Sequence, residues 1–299
     1  MTVRLGINPI GWTNDCMRWL GDDIPLDVCL AEARAAGFTG VELGRKFPRS
    51  ANALRGLLGR HGLDLVSGWY GARLVERDAA AEIVAMRRHL DLLAGCGATI
   101  MVFAETAGEI INTVGAPAST RPVLKGAAAW RRLGRRFTEV AKHMMDRGVR
   151  MAVHHHMGTV IQTTADIDRL MDSTGREVGL LLDTGHLTLA GGDPVELARR
   201  HARRIVHVHG KDVRRFALET CRRRDASFSE AVLHGVFTAP GDGIVDFAGL
   251  FRILARAGYA GWLVQEAEQD PRMADPKIYA ELGNQSLRRF CRRARLAVA

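Results

Sequence analysis

Three short apolar runs between Val153 and Asp212 each end in side chains that can bind a metal or move a proton. They end in His154-His155-His156, in Asp183-Thr184-Gly185-His186, and in His207-Val208-His209-Gly210-Lys211-Asp212, and these bursts hold six of the chain's 11 histidines. Alternate side chains of a strand share a face. His154 and His156 therefore belong together, with His155 turned away to pack against helices, and His207, His209 and Lys211 form a second row. Glu266 and Glu268 repeat the spacing near the C-terminus. Imidazoles mixed with carboxylates suit Mn, Fe, Co or Zn better than Ca. The expectation is one divalent ion held by His154, Asp183, His209 and Glu266, with Glu105 competing for the place given to His154.

A carboxylate closing a fully apolar strand, as Asp183 does after Leu180-Leu181-Leu182, is costly to bury without a partner, and a metal supplies one. Gly185 is expected to let the backbone turn so that His186 faces a ligand. One pleat beyond the ligands, Lys211 and Glu268 would reach a bound substrate. A Lys beside a cation has its protonated form disfavoured, so Lys211 would donate a proton near neutral pH. Asn8, Trp12, Glu42, Lys46, Trp69 and Glu105 come from other strand ends and are expected, with Glu268, to contact the hydroxyls and ring of a polyol. Any one such residue could equally be a hydrogen-bonded core group. Four metal-type side chains at separate strand ends tip the reading toward a site.

Something must bring those ends together. Apolar or β-branched runs begin near Arg4, Gly40, Asp64, Thr99, Arg150, Val178, Ile205 and Gly261. Between them lie helical stripes such as Trp130, Leu133, Phe137, Val140 and Met144. Asp246 reads as an N-cap, and Gly37, Gly148 and Gly258 as helix stops. Eight strand-helix units in one domain length predict an α/β fold, a (β/α)8 TIM barrel spanning residues 1–299, whose active face gathers the strand C-termini. A doubly wound sheet is disfavoured because no Gly-x-Gly-x-x-Gly follows an early strand. Residues 106–126 read as a lid loop, residues 214–245 as an Arg-rich, partly helical insertion, and residues 277–292 as a C-terminal helix.

Composition narrows the function classes. The net charge is +9, and 37 of the 42 basic residues are Arg. They recur along helical segments, as in Arg131, Arg132, Arg135 and Arg136, rather than in one aromatic-lined strip, which argues against nucleic acid. Five scattered cysteines without a CxxC pair favour a reducing compartment. No signal-peptide pattern opens the chain and no apolar run could span a membrane. A cytoplasmic, homo-oligomeric protein acting on a small molecule is expected, with no nucleic-acid or membrane partner.

Gly6-Ile-Asn8-Pro-Ile-Gly-Trp12-Thr-Asn, Gly40-Val-Glu42-Leu-Gly with Lys46-Phe-Pro, Ala104-Glu-Thr, His154-His-His-Met-Gly-Thr, Leu182-Asp-Thr-Gly-His, His207-Val-His-x-Lys-Asp and Glu266-Ala-Glu-Gln-Asp-Pro together resemble the myo-inosose-2 dehydratases. These belong to the sugar phosphate isomerase/epimerase superfamily of xylose-isomerase-like barrels. The resemblance runs from about Val3 to Phe290. It implies a hydro-lyase of inositol catabolism that removes water from 2-keto-myo-inositol (scyllo-inosose) to give a trihydroxycyclohexane dione. It also implies Mn or Co as cofactor and brings a glutathione requirement, for which no residue pattern of its own is present.

Asp183, His209 and Glu266 match the superfamily's metal ligands, while His154 stands where its epimerases carry Glu. Losing that second base suits elimination, which needs one base and one acid. Glu266 or His186 would take the α-proton, and Lys211 or His156 would protonate the departing hydroxyl. A ketose isomerase or epimerase on the same barrel, and a non-catalytic polyol-binding protein, are the alternatives.

Overall fold

In the computed structural model, which describes residues 2–299, the apolar runs and helical stripes alternate as read. The first half comprises β1 (Thr2–Ile7), α1 (Leu26–Ala35), β2 (Gly40–Leu43), α2 (Ala51–His61), β3 (Asp64–Ala72), α3 (Ala79–Gly95), β4 (Ile100–Glu105) and α4 (Ala127–Asp146). Then follow β5 (Arg150–His154), α5 (Thr164–Ser173), β6 (Gly179–Asp183), α6 (Thr184–Leu189), α7 (Pro194–His201) and β7 (Ile205–Gly210). An excursion of β8 (Asp212–Val213), α8 (Arg215–Arg224), α9 (Phe228–Leu233) and β9 (Phe237–Thr238) precedes α10 (Phe247–Ala257), β10 (Trp262–Gln265), α11 (Pro276–Ala294) and β11 (Ala297–Val298).

Strands β1 to β7 pair in sequence order, all parallel, and β10 closes the ring between β7 and β1. This is the expected (β/α)8 barrel. The Arg-rich excursion is helical as expected, and it is clipped at its base by an antiparallel β8–β9 pair that the sequence did not suggest. The stripe of α4 is buried as read. At roughly 1.5–3 kcal/mol per large apolar side chain, that stripe alone fastens the helix to the sheet. Asp246 caps α10 by accepting from Gly249 N, and Gly258 ends it at φ 81°.

Beneath the mouth the barrel is apolar. Ile100, Val102, Ala152, Leu181 and Val206 form one interior layer, and Val66, Trp262 and Val264 another. Gly40 makes room for the latter, since a Cβ there would lie 2.6 Å from both the Trp262 ring and Val66. A register shift between Leu180 and Leu181 pairs the latter with His207, so His207 and His209 follow the apolar Val206 on the inside. All five cysteines are free. No helix among the described residues is long and apolar enough to cross a membrane.

Candidate active site

The polar layer starts where the apolar interior stops. β5 ends at His154, β6 at Asp183, β7 carries His209, and Glu266 follows β10. One ligand-type atom from each lies within 4.8 Å of the others, and all four residues are buried. His154 Nε2 is 3.4 Å from Asp183 Oδ2, and His209 Nδ1 is 3.5 Å from the same oxygen. Glu266 Oε2 lies 2.9 Å from both His209 Nδ1 and Lys211 Nζ, yet neither it nor His209 Nδ1 has the alignment of a hydrogen bond. Ligand atoms that face one another at such distances without bonding suit a third partner between them.

Charge supports the same conclusion. Buried Asp183, Glu266 and Glu268 share a single ammonium, Lys211, and buried Glu42 meets only the imidazoles of His207 and His209, a carboxylate excess that a divalent cation would offset. Burial disfavours charge on His209, but Glu266 and Glu42 outweigh it and hold its pKa well above the ordinary histidine value. The donor set therefore fits a divalent metal, with His154 rather than Glu105 as the fourth member.

Asp183 does two jobs. Its Oδ1 accepts from His186 N at 2.7 Å and caps α6, which leaves Oδ2 for the ligand cluster. Gly185 is needed for a reason different from the expected turn. It sits inside α6, and a Cβ there would come within 2.4 Å of the Lys211 side chain. The glycine is a groove for the lysine stem.

Lys211 is fully buried. Its Nζ is 2.6 Å from Glu268 Oε2, 3.0 Å from His186 Nε2 and 3.7 Å from Asp183 Oδ2. Burial lowers its pKa, but Asp183, Glu266 and Glu268 outweigh that and raise it. Without an ion in the cluster, these carboxylates favour the ammonium form of Lys211, the opposite of the direction expected beside a cation. His186 is pushed well below the ordinary range by burial and by the charges of His156 and Lys211. Glu268 is pushed up to about 7 by burial, against the pull of Lys211.

A cavity of about 280 Å³ opens above the cluster. Of the expected site residues, Asn8, Glu42, Trp69, His154, His156, His209, Glu266 and Glu268 line it, whereas Lys211 and His186 stand behind its wall. Three expected substrate contacts lie elsewhere, each with its polar atoms already engaged. Trp12 is buried and donates to Glu32. Lys46 donates to the carbonyls of Gly21, Asp22 and Ile24. Glu105 accepts from Leu74 N and Ala107 N. His155 is buried and faces away from the cavity, where its Nε2 accepts from Asp183 N.

Three segments contribute residues that the sequence did not single out. The loop after β4 places Thr106, Glu109 and Asn112 on the cavity, and the loop after β1 adds Asp15 and Cys16. The Arg-rich excursion supplies Phe228, stacked 5.4 Å from His186 and edge-on 4.9 Å from His156. It also supplies Phe237, 4.8 Å from Lys211 Nζ. Phenylalanines within an otherwise Arg-rich segment were the available signal. Ser119 N donates to Asp225 Oδ1 at 3.0 Å and Gly115 N to Ser227 Oγ at 3.3 Å, tying the lid loop to this excursion.

Residues 30–289 match the family of xylose isomerase-like TIM barrels. The chain is 50% identical to the rhizopine catabolism protein MocC of Rhizobium meliloti, over 97% of this chain and 89% of that one. It is 41% identical to an inosose dehydratase of Geobacillus thermodenitrificans, over 97% of each. Among solved structures, a xylose isomerase domain protein from Alicyclobacillus acidocaldarius superposes with a TM-score of 0.68 at 19% identity, over 98% of this chain and 100% of that one. That likeness speaks for the fold.

Proposed function

The chain belongs to the xylose isomerase-like TIM barrel family and, within it, to the inosose dehydratases, and on that premise we propose that it is a metal-dependent hydro-lyase converting scyllo-inosose to the trihydroxycyclohexane dione. One observation supports this most: a four-ligand cluster opens onto a small cavity that no Arg or Lys lines among the described residues. In a chain of net charge +9, such a wall suits an uncharged polyol ketone and opposes a phosphorylated sugar. The same wall does not fit glutathione, whose carboxylates would meet Asp15, Glu109 and Glu268 without a basic partner.

His154, Asp183, His209 and Glu266 would hold the ion, Mn or Co by resemblance. A divalent ion there supplies Lewis-acid polarisation of substrate oxygens. The chain's own groups do the rest. Glu268 faces the cavity with its carboxyl poised near neutrality, which suits removal of the α-proton. The C–H electron pair passes to the carbonyl as an enolate. The β carbon–oxygen bond then breaks, and the departing hydroxide leaves as water, the proton that Glu268 has taken passing to it by way of His156, whose ring faces the cavity with a nitrogen within 4.8 Å of the Glu268 carboxylate. The resulting enol tautomerises to the dione. Lys211 and His186 stand behind these groups and position them, Lys211 by its contact with Glu268. Trp69, 5.1 Å from the His154 ring and 5.5 Å from His156, offers the flat wall for the substrate ring.

Metal-stripped protein is expected to be inactive, and Mn or Co with scyllo-inosose should produce the ultraviolet-absorbing dione; no dione with either ion would sink the assignment. Exchange of the α-hydrogen in D2O separates base from acid. Glu268→Gln should lose both exchange and dione formation, whereas His156→Gln should keep exchange and lose the dione. Wild-type exchange in Glu268→Gln would remove Glu268 as the base. The 50% identity to the rhizopine catabolism protein favours a second reading, in which the ring comes from rhizopine breakdown and the same elimination acts on it. Comparing kcat/KM for the two substrates decides between them.

A further inference from the structure

Asn8 and Glu42, from the ends of β1 and β2, line the cavity, yet their polar atoms are committed elsewhere. Glu42 Oε1 lies 2.9 Å from His207 Nε2 and 3.2 Å from His209 Nε2, and accepts from Ser67 Oγ at 2.6 Å. Glu42 Oε2 accepts from Asn8 Nδ2 at 2.7 Å. The same Asn8 amide donates to Glu266 Oε1 at 3.2 Å. A buried carboxylate so surrounded has little left with which to recognise a substrate hydroxyl. One chain of contacts, His207–Glu42–Asn8, instead ends on two of the four ligand residues.

We infer that Asn8 and Glu42 form an outer clamp that fixes His209 and Glu266 in their metal-binding poses. It is a positioning device, not a substrate contact, and the inference rests on the metal-binding reading above. A neutral imidazole carries one proton, and the other nitrogen must be bare to bind an ion. Glu42 at Nε2 holds the proton there and turns Nδ1 toward Asp183 and Glu266, at 3.5 and 2.9 Å. Asn8 anchors Glu266 through Oε1 and leaves Oε2 on the cluster side. Carboxylate partners behind ligating histidines, when removed, typically weaken metal affinity by roughly 10–100-fold. His207 has no cavity position of its own; its contact with Glu42 Oε1, the oxygen that also meets His209, keeps the carboxylate from rotating.

The test is Co(II) titration of the purified full-length protein by calorimetry and visible absorption, with turnover measured across the same Co(II) range. Glu42→Gln keeps the shape of the side chain but offers one acceptor oxygen in place of two. It should bind Co(II) roughly 10–100-fold more weakly, and its turnover should recover as Co(II) is raised. Asn8→Ala and Ser67→Ala, which each remove one support of Glu42, should weaken Co(II) binding in the same direction and serve if Glu42→Gln fails to fold. In the Zn(II)-loaded wild type, long-range proton–nitrogen spectra should show His209 protonated at Nε2 and metal-bound at Nδ1. Unchanged Co(II) affinity with a raised KM would make Glu42 a substrate contact and overturn the clamp, as would the opposite His209 tautomer. A wild type that binds no Co(II) would instead sink the metal reading itself.

Discussion

His209 Nδ1 and Glu266 Oε2 lie 2.9 Å apart without a hydrogen bond on one side of the mouth; on the other, Lys211 Nζ is 2.6 Å from Glu268 and 3.0 Å from His186, with both contacts satisfied. The two clusters share Asp183 and Glu266 and are equally buried, so burial alone does not explain the difference. The second was built with its own cation, and that cation's stem fits a groove that only glycine at 185 allows. The first leaves the countercharge to come from outside the chain. A chain can therefore satisfy one side of a buried cluster with its own cation and leave the other side open to a charge that it binds.

The contrast breaks most severely at Lys211. Lys211→Met leaves three buried carboxylates without their cation, and urea denaturation of metal-stripped protein should show a loss of about 3–5 kcal/mol. Adding Co(II) should recover part of that loss, because Asp183 and Glu266 then gain a partner; no recovery would mean that the two sides do not share their charge. Asp183→Asn keeps an oxygen for the α6 cap and replaces the ligand-side oxygen with an amide. Co(II) affinity should fall by at least about 100-fold, or about 2.7 kcal/mol, while far-ultraviolet circular dichroism stays that of the wild type. Gly185→Ala pushes a methyl group into the lysine stem. It should cost about 1–3 kcal/mol and most of the turnover, with Co(II) affinity retained. As a surface counterpart, Arg199→Gln breaks an exposed pair with Glu196 and should move stability by less than about 0.5 kcal/mol; a larger effect would show that ion pairs outside the mouth carry comparable weight.

Residue types and spacing were enough to find the eight strands, the Asp246 cap and the four metal-type side chains that the barrel brings together, because each follows from local periodicity and from the cost of burying a carboxylate at the end of an apolar strand. The strand parity also grouped His207, His209 and Lys211 correctly. Spacing could not say which of those polar groups face the cavity and which support another side chain. Glu42 and Asn8 belong to the supporting shell, and Lys46, Trp12 and Glu105 to loops and helix contacts, because their partners arrive from segments far away in the chain. The surroundings of Lys211 were decided the same way, by three carboxylates from two other strand ends. Gly185 was legible as a special position, but its purpose was not. Periodicity along one strand fixes a face, whereas hydrogen bonds and charge balance depend on neighbours across the barrel, and only closing the ring brings those neighbours within reach.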